Sequence, residues 1–225
     1  MSQIGTDSRL TSKLRPVSKL WSVRRWATGR LGAIRHERRV SSIAVALANA
    51  TASLQPLDKS QVRLLKLAAL VHDVGRCVSD KRHPEIGAKM LLEDDSLPLR
   101  NRERRALAYL TMYHRDAVPE VGEDMILRGS DDPAGMRVIL AYLRAADALD
   151  SRSLPSPGIG VSLRRGRLQI TCRLREDCEK SRRVFSRRKK FKLLEEVLGC
   201  RIEVIVRVQR KLPIRAELAR LQMVA

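Results

Sequence analysis

The chain has four histidines in 225 residues, His36, His72, His83 and His114. His72 is followed at once by Asp73 in Leu70-Val71-His72-Asp73-Val74-Gly75, and Asp147 stands late in Leu143-Arg144-Ala145-Ala146-Asp147-Ala148-Leu149-Asp150. Imidazole and carboxylate are the groups that hold hydrolytic divalent metals. Ions held by such a set polarise a phosphate and bring the pKa of a bound water towards neutrality, which is the chemistry of phosphate ester and anhydride hydrolysis. His36, His72, Asp73 and Asp147 form the expected inner metal set, with His72 and Asp73 as its catalytic centre. His83 and His114 are expected to complete a second metal position or to hold substrate. His and Asp ligands suit Mn, Mg, Fe, Co and Zn alike, so the metal's identity stays open. Taken singly, each residue has a plainer reading: a hydrogen-bonded core histidine, a helix end, a cap. The argument rests on their joint order.

These residues need elements to position them. Over about residues 34–54, His36, Val40, Ile43 and Leu47 recur on one helical face. A second helix over about 60–73 puts Leu65, Ala68, Ala69 and His72 together, and Gly75 reads as its stop. Ending a helix there lets two adjacent side chains converge, whereas in mid-helix they diverge by about 100°. His83-Pro84 opens a helix with proline at its first position, its apolar face being Ile86, Met90 and Leu91. Residues 101–114 form another helix, with Leu107, Leu110 and His114 on one face. Asp132-Pro133 starts the last helix of this part, which reaches Asp150 and aligns Leu140, Leu143 and Asp147.

The chain changes character at Pro155-Ser156-Pro157-Gly158. Beyond it the period becomes two: Leu168, Ile170, Cys172 and Leu174 alternate with polar residues, as do Ile202, Val204, Val206 and Val208. Val161 to Leu163 pairs with the first of these strands through a turn at Arg164-Arg165-Gly166. A basic amphipathic helix between them buries Val184, Phe191, Leu194 and Leu198. The expected fold is therefore mainly α, a helical bundle with a small C-terminal ββαβ subdomain. Its parts are a basic segment over 1–30, the helical domain over 31–154 and the α+β piece over 155–225. Residues 1–16 read as flexible, residues 16–30 as a short helix packing through Leu20 and Trp21, and the tail from Pro213 as a final short helix.

Bulk composition sets limits. Aromatic residues are 3% of a chain that is 44% hydrophobic, so the core is aliphatic. The formal charge of +20 attracts polyanions and is silent about fold. It concentrates in the N-terminal stretch from Arg9 to Arg30 and in the run from Arg182 to Lys192, which on one helix would make a broad cationic face. No aromatics interleave with that run and no nucleic-acid motif appears, so nucleic acid is a less favoured partner than a phosphate-rich substrate or polyphosphate. Nearer the site, Lys81, Arg82, Arg115 and Arg144 are candidates for binding substrate phosphate. Cys77, Cys172, Cys178 and Cys200 make no C-x-x-C pair and read as small core residues in a reducing compartment. No apolar run reaches membrane-spanning length, and a cytoplasmic protein is expected. The oligomeric state stays open, a homodimer included.

The His…His-Asp…Asp order on an all-helical frame, from about Ile34 to Asp150, resembles the HD-domain superfamily of metal-dependent phosphohydrolases. His83 in His83-Pro84-Glu85-Ile86-Gly87 and His114 in Tyr113-His114-Arg115 match the extra histidines of its two-metal branches. Asp73-Val74-Gly75-Arg76, Tyr113-His114-Arg115, the stretch from Leu143 to Asp150 and the following strand–helix–strand piece are similar to the C-terminal half of the exopolyphosphatase/guanosine pentaphosphate phosphatase family. That family's glycine-rich phosphate loops, which belong to an N-terminal ATPase-like domain, do not occur in this sequence, so its activity does not transfer by resemblance. The resemblance implies either hydrolysis of a nucleotide, guanosine tetra- or pentaphosphate or polyphosphate, or a non-catalytic polyanion-binding or regulatory module.

Overall fold

The computed structural model describes residues 18–115, 117–129 and 132–209. The expectations for residues 1–16 and for a helix after Pro213 fall outside the described residues.

Helix starts follow local chemistry. In α3 (Lys59–Val71) the Asp58 carboxylate accepts from the Ser60 and Gln61 amides, while the Gln61 side chain returns to the Asp58 amide. In α4 (His83–Glu93) Pro84 sits in the first turn, where its missing N–H costs nothing. Asp132 caps α6 (Pro133–Ala148), accepting from the Gly135 amide at 2.7 Å. Helices α2 (Arg35–Ala50) and α5 (Asn101–Met112) complete the bundle, and α1 (Lys19–Leu31) precedes it.

α6 is the centre of the packing, against α2, α3 and α5 on one side and the C-terminal piece on the other. Its Ile139, Leu140, Tyr142 and Leu143 are fully buried. The Tyr142 hydroxyl shares a 2.7 Å hydrogen bond with Thr51, so this buried ring keeps its polar end satisfied. α1 docks differently from expectation. Leu20 and Trp21 face solvent, and Val23, Trp26 and Ala27 supply the contact. The Trp26 indole donates to Asp94 at 2.7 Å, which orients the opposite face of the helix inward.

Strands β1 (Gly158–Arg164) and β2 (Arg167–Leu174) pair antiparallel across the two-residue turn Arg165-Gly166, both at positive φ. β2 then pairs in parallel with β3 (Arg201–Val208), in register Leu168 with Ile202 and Ile170 with Val204. The expected single basic helix between them is instead α7 (Glu179–Phe185), a 3₁₀ turn over Arg188–Phe191 and α8 (Lys192–Leu198). Phe185 and Phe191 are both buried, and the break between them lets each reach the core. The cationic run is thereby split, not laid along one face. Of the cysteines only Cys172 is buried, while Cys77 and Cys178 are exposed. The result is mainly α with a small three-stranded α+β part. Among the described residues no helix is long and apolar enough to cross a membrane.

Candidate metal centre

The bundle brings six ligand-type side chains to one place. His36 enters from the first turn of α2, His72 from the end of α3, and Asp73 from the turn after it. His83 comes from the first residue of α4, His114 from just beyond α5, and Asp147 from the last turn of α6. All six are buried. His36 Nε2 lies 3.3 Å from Asp147 Oδ1 and 3.8 Å from Asp73 Oδ2. His72 Nε2 lies 3.6 Å from Asp147 Oδ1 and 3.8 Å from Asp73 Oδ1. On the other side of Asp73, its Oδ1 is 3.0 Å from His83 Nε2 and 3.5 Å from His114 Nε2. Ligand atoms sharing one ion at about 2.1 Å and the tetrahedral angle lie about 3.4 Å apart. In two groups, His36–His72–Asp73 and Asp73–His83–His114, the ligand atoms all lie within 4.8 Å of one another, somewhat wider than that in the first, with Asp73 common to both.

The orientation of the imidazoles says more than their proximity. Each uses Nδ1 towards an acceptor outside the cluster: His36 to Asp150 at 2.9 Å, His72 to the Ala69 carbonyl at 2.9 Å, His83 to the Asp80 carbonyl at 2.7 Å and His114 to the Thr111 carbonyl at 2.6 Å. A carbonyl or carboxylate oxygen only accepts, so Nδ1 must carry the proton. In its neutral form each ring then presents the Nε2 lone pair inward. His83 and His114 place those nitrogens 3.2 Å apart, and the same space holds carboxylate oxygens. Two lone pairs so placed repel each other unless a proton or a metal cation lies between them. Among the described residues His72 Nε2 and Asp73 Oδ1 have no hydrogen-bond partner although both are buried. Such orphaned atoms are costly in a protein interior, and a cation coordinated there removes the cost. The donor set and the orphaned atoms therefore fit a divalent metal.

Titration follows the same geometry. Burial opposes charging of His36, but hydrogen bonds to Asp147 and Asp150 outweigh it and push the group up to about 9. Burial likewise opposes charge on His72, and Asp73 and Asp147 reverse the balance upward. At His114 burial prevails and brings the imidazole down to about 4. Asp73 and Asp147 are held well below the ordinary carboxylate range, since the surrounding histidines overcome their desolvation.

The glycines of this region do not serve as expected. Gly75 is no left-handed helix stop. A Cβ there would lie 2.2 Å from the His83 carbonyl oxygen and 2.6 Å from the Gly87 amide. Its role is to let the turn after Asp73 sit directly on the first turn of α4, which is what carries His83 to Asp73.

A cavity of about 320 Å³ opens over His36, Asp73 and Asp147. Of the expected phosphate ligands, Arg115 lines it. Lys81 and Arg82 are exposed and do not line it. Arg144 donates to the carbonyls of Tyr113 and Arg115, bracing the loop that holds His114. Sequence reasoning missed Arg76 and Arg152, whose Nε atoms reach Asp73 Oδ2 at 2.8 and 2.9 Å. It also missed the fully buried Glu37, paired to Arg152, and Lys190, 3.4 Å from Asp147 Oδ2. Arg76 follows Asp73 by three residues and had a local signal. Arg152 comes from a turn with no such signal, and Lys190 was visible only as one charge of the cationic run, with nothing to tie it to Asp147.

A helical bundle with an inward-facing His/Asp centre, extended by a small α+β piece, is the class that fold and site define. The chain belongs to the Ppx/GppA phosphatase domain III family, whose pattern matches residues 33–153. The matched stretch contains all six clustered side chains and ends just before β1. No curated protein matches the chain.

Proposed function

We propose that this chain is a metal-dependent phosphohydrolase of HD-domain type, acting on a phosphate ester or anhydride. Nucleotides, guanosine tetra- or pentaphosphate and polyphosphate are the substrate classes, and residues 31–154 are the site-bearing unit, flanked by 1–30 and 155–225. The observation that carries the reading is the convergence of four Nε2 atoms and two carboxylates, each ring oriented from outside. Family membership supports phosphate chemistry. His36, His72, Asp73 and Asp147 would hold one ion, and Asp73 with His83 and His114 a second. Divalent ions bound there supply Lewis acidity at phosphorus and acidify water.

The chain's own residues do the rest. Asp150 and three backbone carbonyls fix the rings. Arg76 and Arg152 hold their guanidinium groups at the mouth of the cluster, where charge develops on a phosphoryl group. Arg115 lines the same cavity, and its Nε is buried without a partner among the described residues.

One observation favours a second reading, a non-catalytic polyanion-binding or regulatory module. Arg76, Arg152 and Lys190 already pair with the outer oxygens of Asp73 and Asp147. The two readings separate by measuring bound metal and screening phosphatase substrates with Mn²⁺, Mg²⁺, Fe²⁺, Co²⁺ and Zn²⁺, against Asp73→Ala. The enzyme reading expects stoichiometric metal and turnover, both lost in the variant. A wild type that holds no metal, and a variant equal to it on every substrate, would sink it.

A further inference from the structure

The cavity over the cluster has a wall that the matched family region does not provide. Val184, Arg187 and Lys190, at the end of α7 and in the turn before α8, line it opposite the helical bundle. All three lie beyond residue 153, where the family match ends. Their position is fixed by packing. Phe185 and Phe191 flank the turn, and both are buried against the core. The turn between these anchors cannot swing away without unpacking one of them.

Its charges are not alike. Arg188 turns to Glu195 at 3.1 Å, and Lys189 is exposed. Arg187 and Lys190 alone of this run face the cavity. With Arg76, Arg115 and Arg152 they make five cations against Asp73, Asp147 and Asp150. Positive charge exceeds negative even before divalent ions add theirs. Lys190 pairs with Asp147 Oδ2, on the buried carboxylate whose other oxygen faces His36 and His72. A lysine in that position competes with metal for Asp147, so neutralising the carboxylate is a poor account of it in a metal site. A second anion arriving above the ions is what both cations are placed to meet.

We propose that Arg187 and Lys190 bind the substrate's phosphate group, so that the site is completed by the C-terminal α+β piece. The proposal rests on the metal-dependent phosphohydrolase reading; the placing of the two cations on the cavity wall stands on the geometry. The two roles for Lys190 differ in what its removal does to phosphate binding. A phosphate ligand, when removed, weakens phosphate binding and leaves metal binding equal or tighter. A mere counter-charge to Asp147, when removed, tightens metal binding and leaves phosphate binding unchanged.

The test is calorimetric titration of the full chain with inorganic phosphate, with and without Mn²⁺. Wild type is compared with Arg187→Ala, Lys190→Ala, Lys190→Arg and, as a control of equal charge loss, Lys189→Ala. Loss of one charged hydrogen bond predicts roughly 10-fold weaker phosphate binding for Arg187→Ala and for Lys190→Ala. Lys190→Arg should retain most of the affinity, Lys189→Ala all of it, and Mn²⁺ affinity should not fall. Arg187 is exposed and Lys190→Arg keeps a cation beside Asp147, so unchanged thermal unfolding is expected for Arg187→Ala and Lys190→Arg. Wild-type affinity in both alanine variants, an equal loss in Lys189→Ala, or no phosphate binding by the wild type would each overturn the proposal. A chain that binds metal and phosphate as stated but hydrolyses nothing would sink the enzyme reading and leave the phosphate site standing.

Discussion

Three of the four histidines solve the same problem in the same way. His72, His83 and His114 each give Nδ1–H to the carbonyl three residues earlier. For His72 and His114 that carbonyl lies in the last turn of a helix, where backbone oxygens have no partner within the helix. The helix end thus supplies both the bend that turns the ring inward and the acceptor that fixes its tautomer. His36 lies in a first turn, with no helical turn before it to supply such a carbonyl, and Asp150 takes the part. That carboxylate accepts from His36 at 2.9 Å, from Arg39 at 2.9 Å and from Ser156 at 2.8 Å. Partners of this kind are worth about 10- to 100-fold in metal affinity. Asp150→Asn should therefore weaken the tighter metal-binding step by about that factor in competition with a chelator, while circular dichroism stays native. Unchanged affinity would mean that His36 is not a ligand.

At the scale of elements, the site depends on how closely the turn after Asp73 approaches α4. Gly75 lies against the His83 carbonyl and the Gly87 amide, and Gly87 lies against the Thr111 methyl. A methyl group at Gly75 would meet backbone, which cannot yield as a side chain can. Gly75→Ala should cost about 3 kcal/mol, the upper part of the range for overpacking. It should also displace His83, so that metal stoichiometry falls even where the fold survives; equal stoichiometry and stability would refute the close-approach account. This contact shows where the sequence was legible and where it was not. The ligand-bearing helices could be read because a chemically distinctive residue fell on the same face as Val40, Ile43 and Leu47, or Leu107 and Leu110. Gly75 was misread because a glycine near a helix end usually terminates it, and the backbone it actually meets belongs to another element. The carbonyls of Ala69, Asp80 and Thr111 left no signal at all, since every residue has one. A second element-level contact carries a pH signature. Asp94 accepts from Ser96 and from the Trp26 indole and pairs with Arg30, which ties α1 to the bundle. These contacts, the Ser96 hydroxyl first, bring its carboxyl down to about 2. A depressed pKa means stability that is fully present above the unfolded value near 4 and lost as pH falls towards about 2. Solvent screening at this partly exposed group holds it to about 1 kcal/mol. Asp94→Asn should remove that amount at neutral pH and flatten the acid limb of the unfolding curve between about pH 4 and 2; an unchanged acid limb would sever α1's docking from this carboxylate.

At the scale of the whole molecule, the cluster carries a cost that a bound cation would remove. Six polar side chains occupy the middle of the helical bundle, in space that aliphatic packing would otherwise use. Arg76, Arg152 and Lys190 satisfy only the outer carboxylate oxygens. The inner ones, with the Nε2 atoms, remain turned on each other. Because the ligands come from α2, α3, α4, α5 and α6, whatever binds them bridges nearly every helix of the bundle at once. Unfolding scatters those ligands, so binding energy becomes folding energy. A ligand present at 100 times its dissociation constant adds about 2.7 kcal/mol. For a chain of this size that is a rise of roughly 5–10 °C in Tm. Adding Mn²⁺ to chelator-stripped protein should give a shift of that order, and Asp73→Ala, which removes the carboxylate common to both groups, should abolish it. The shift should be larger than for any surface ion, because only the interior set spans five helices. A stripped protein whose Tm does not move with any of the five candidate metals would mean that protons and arginines alone balance the centre, and the metal reading would fall with it.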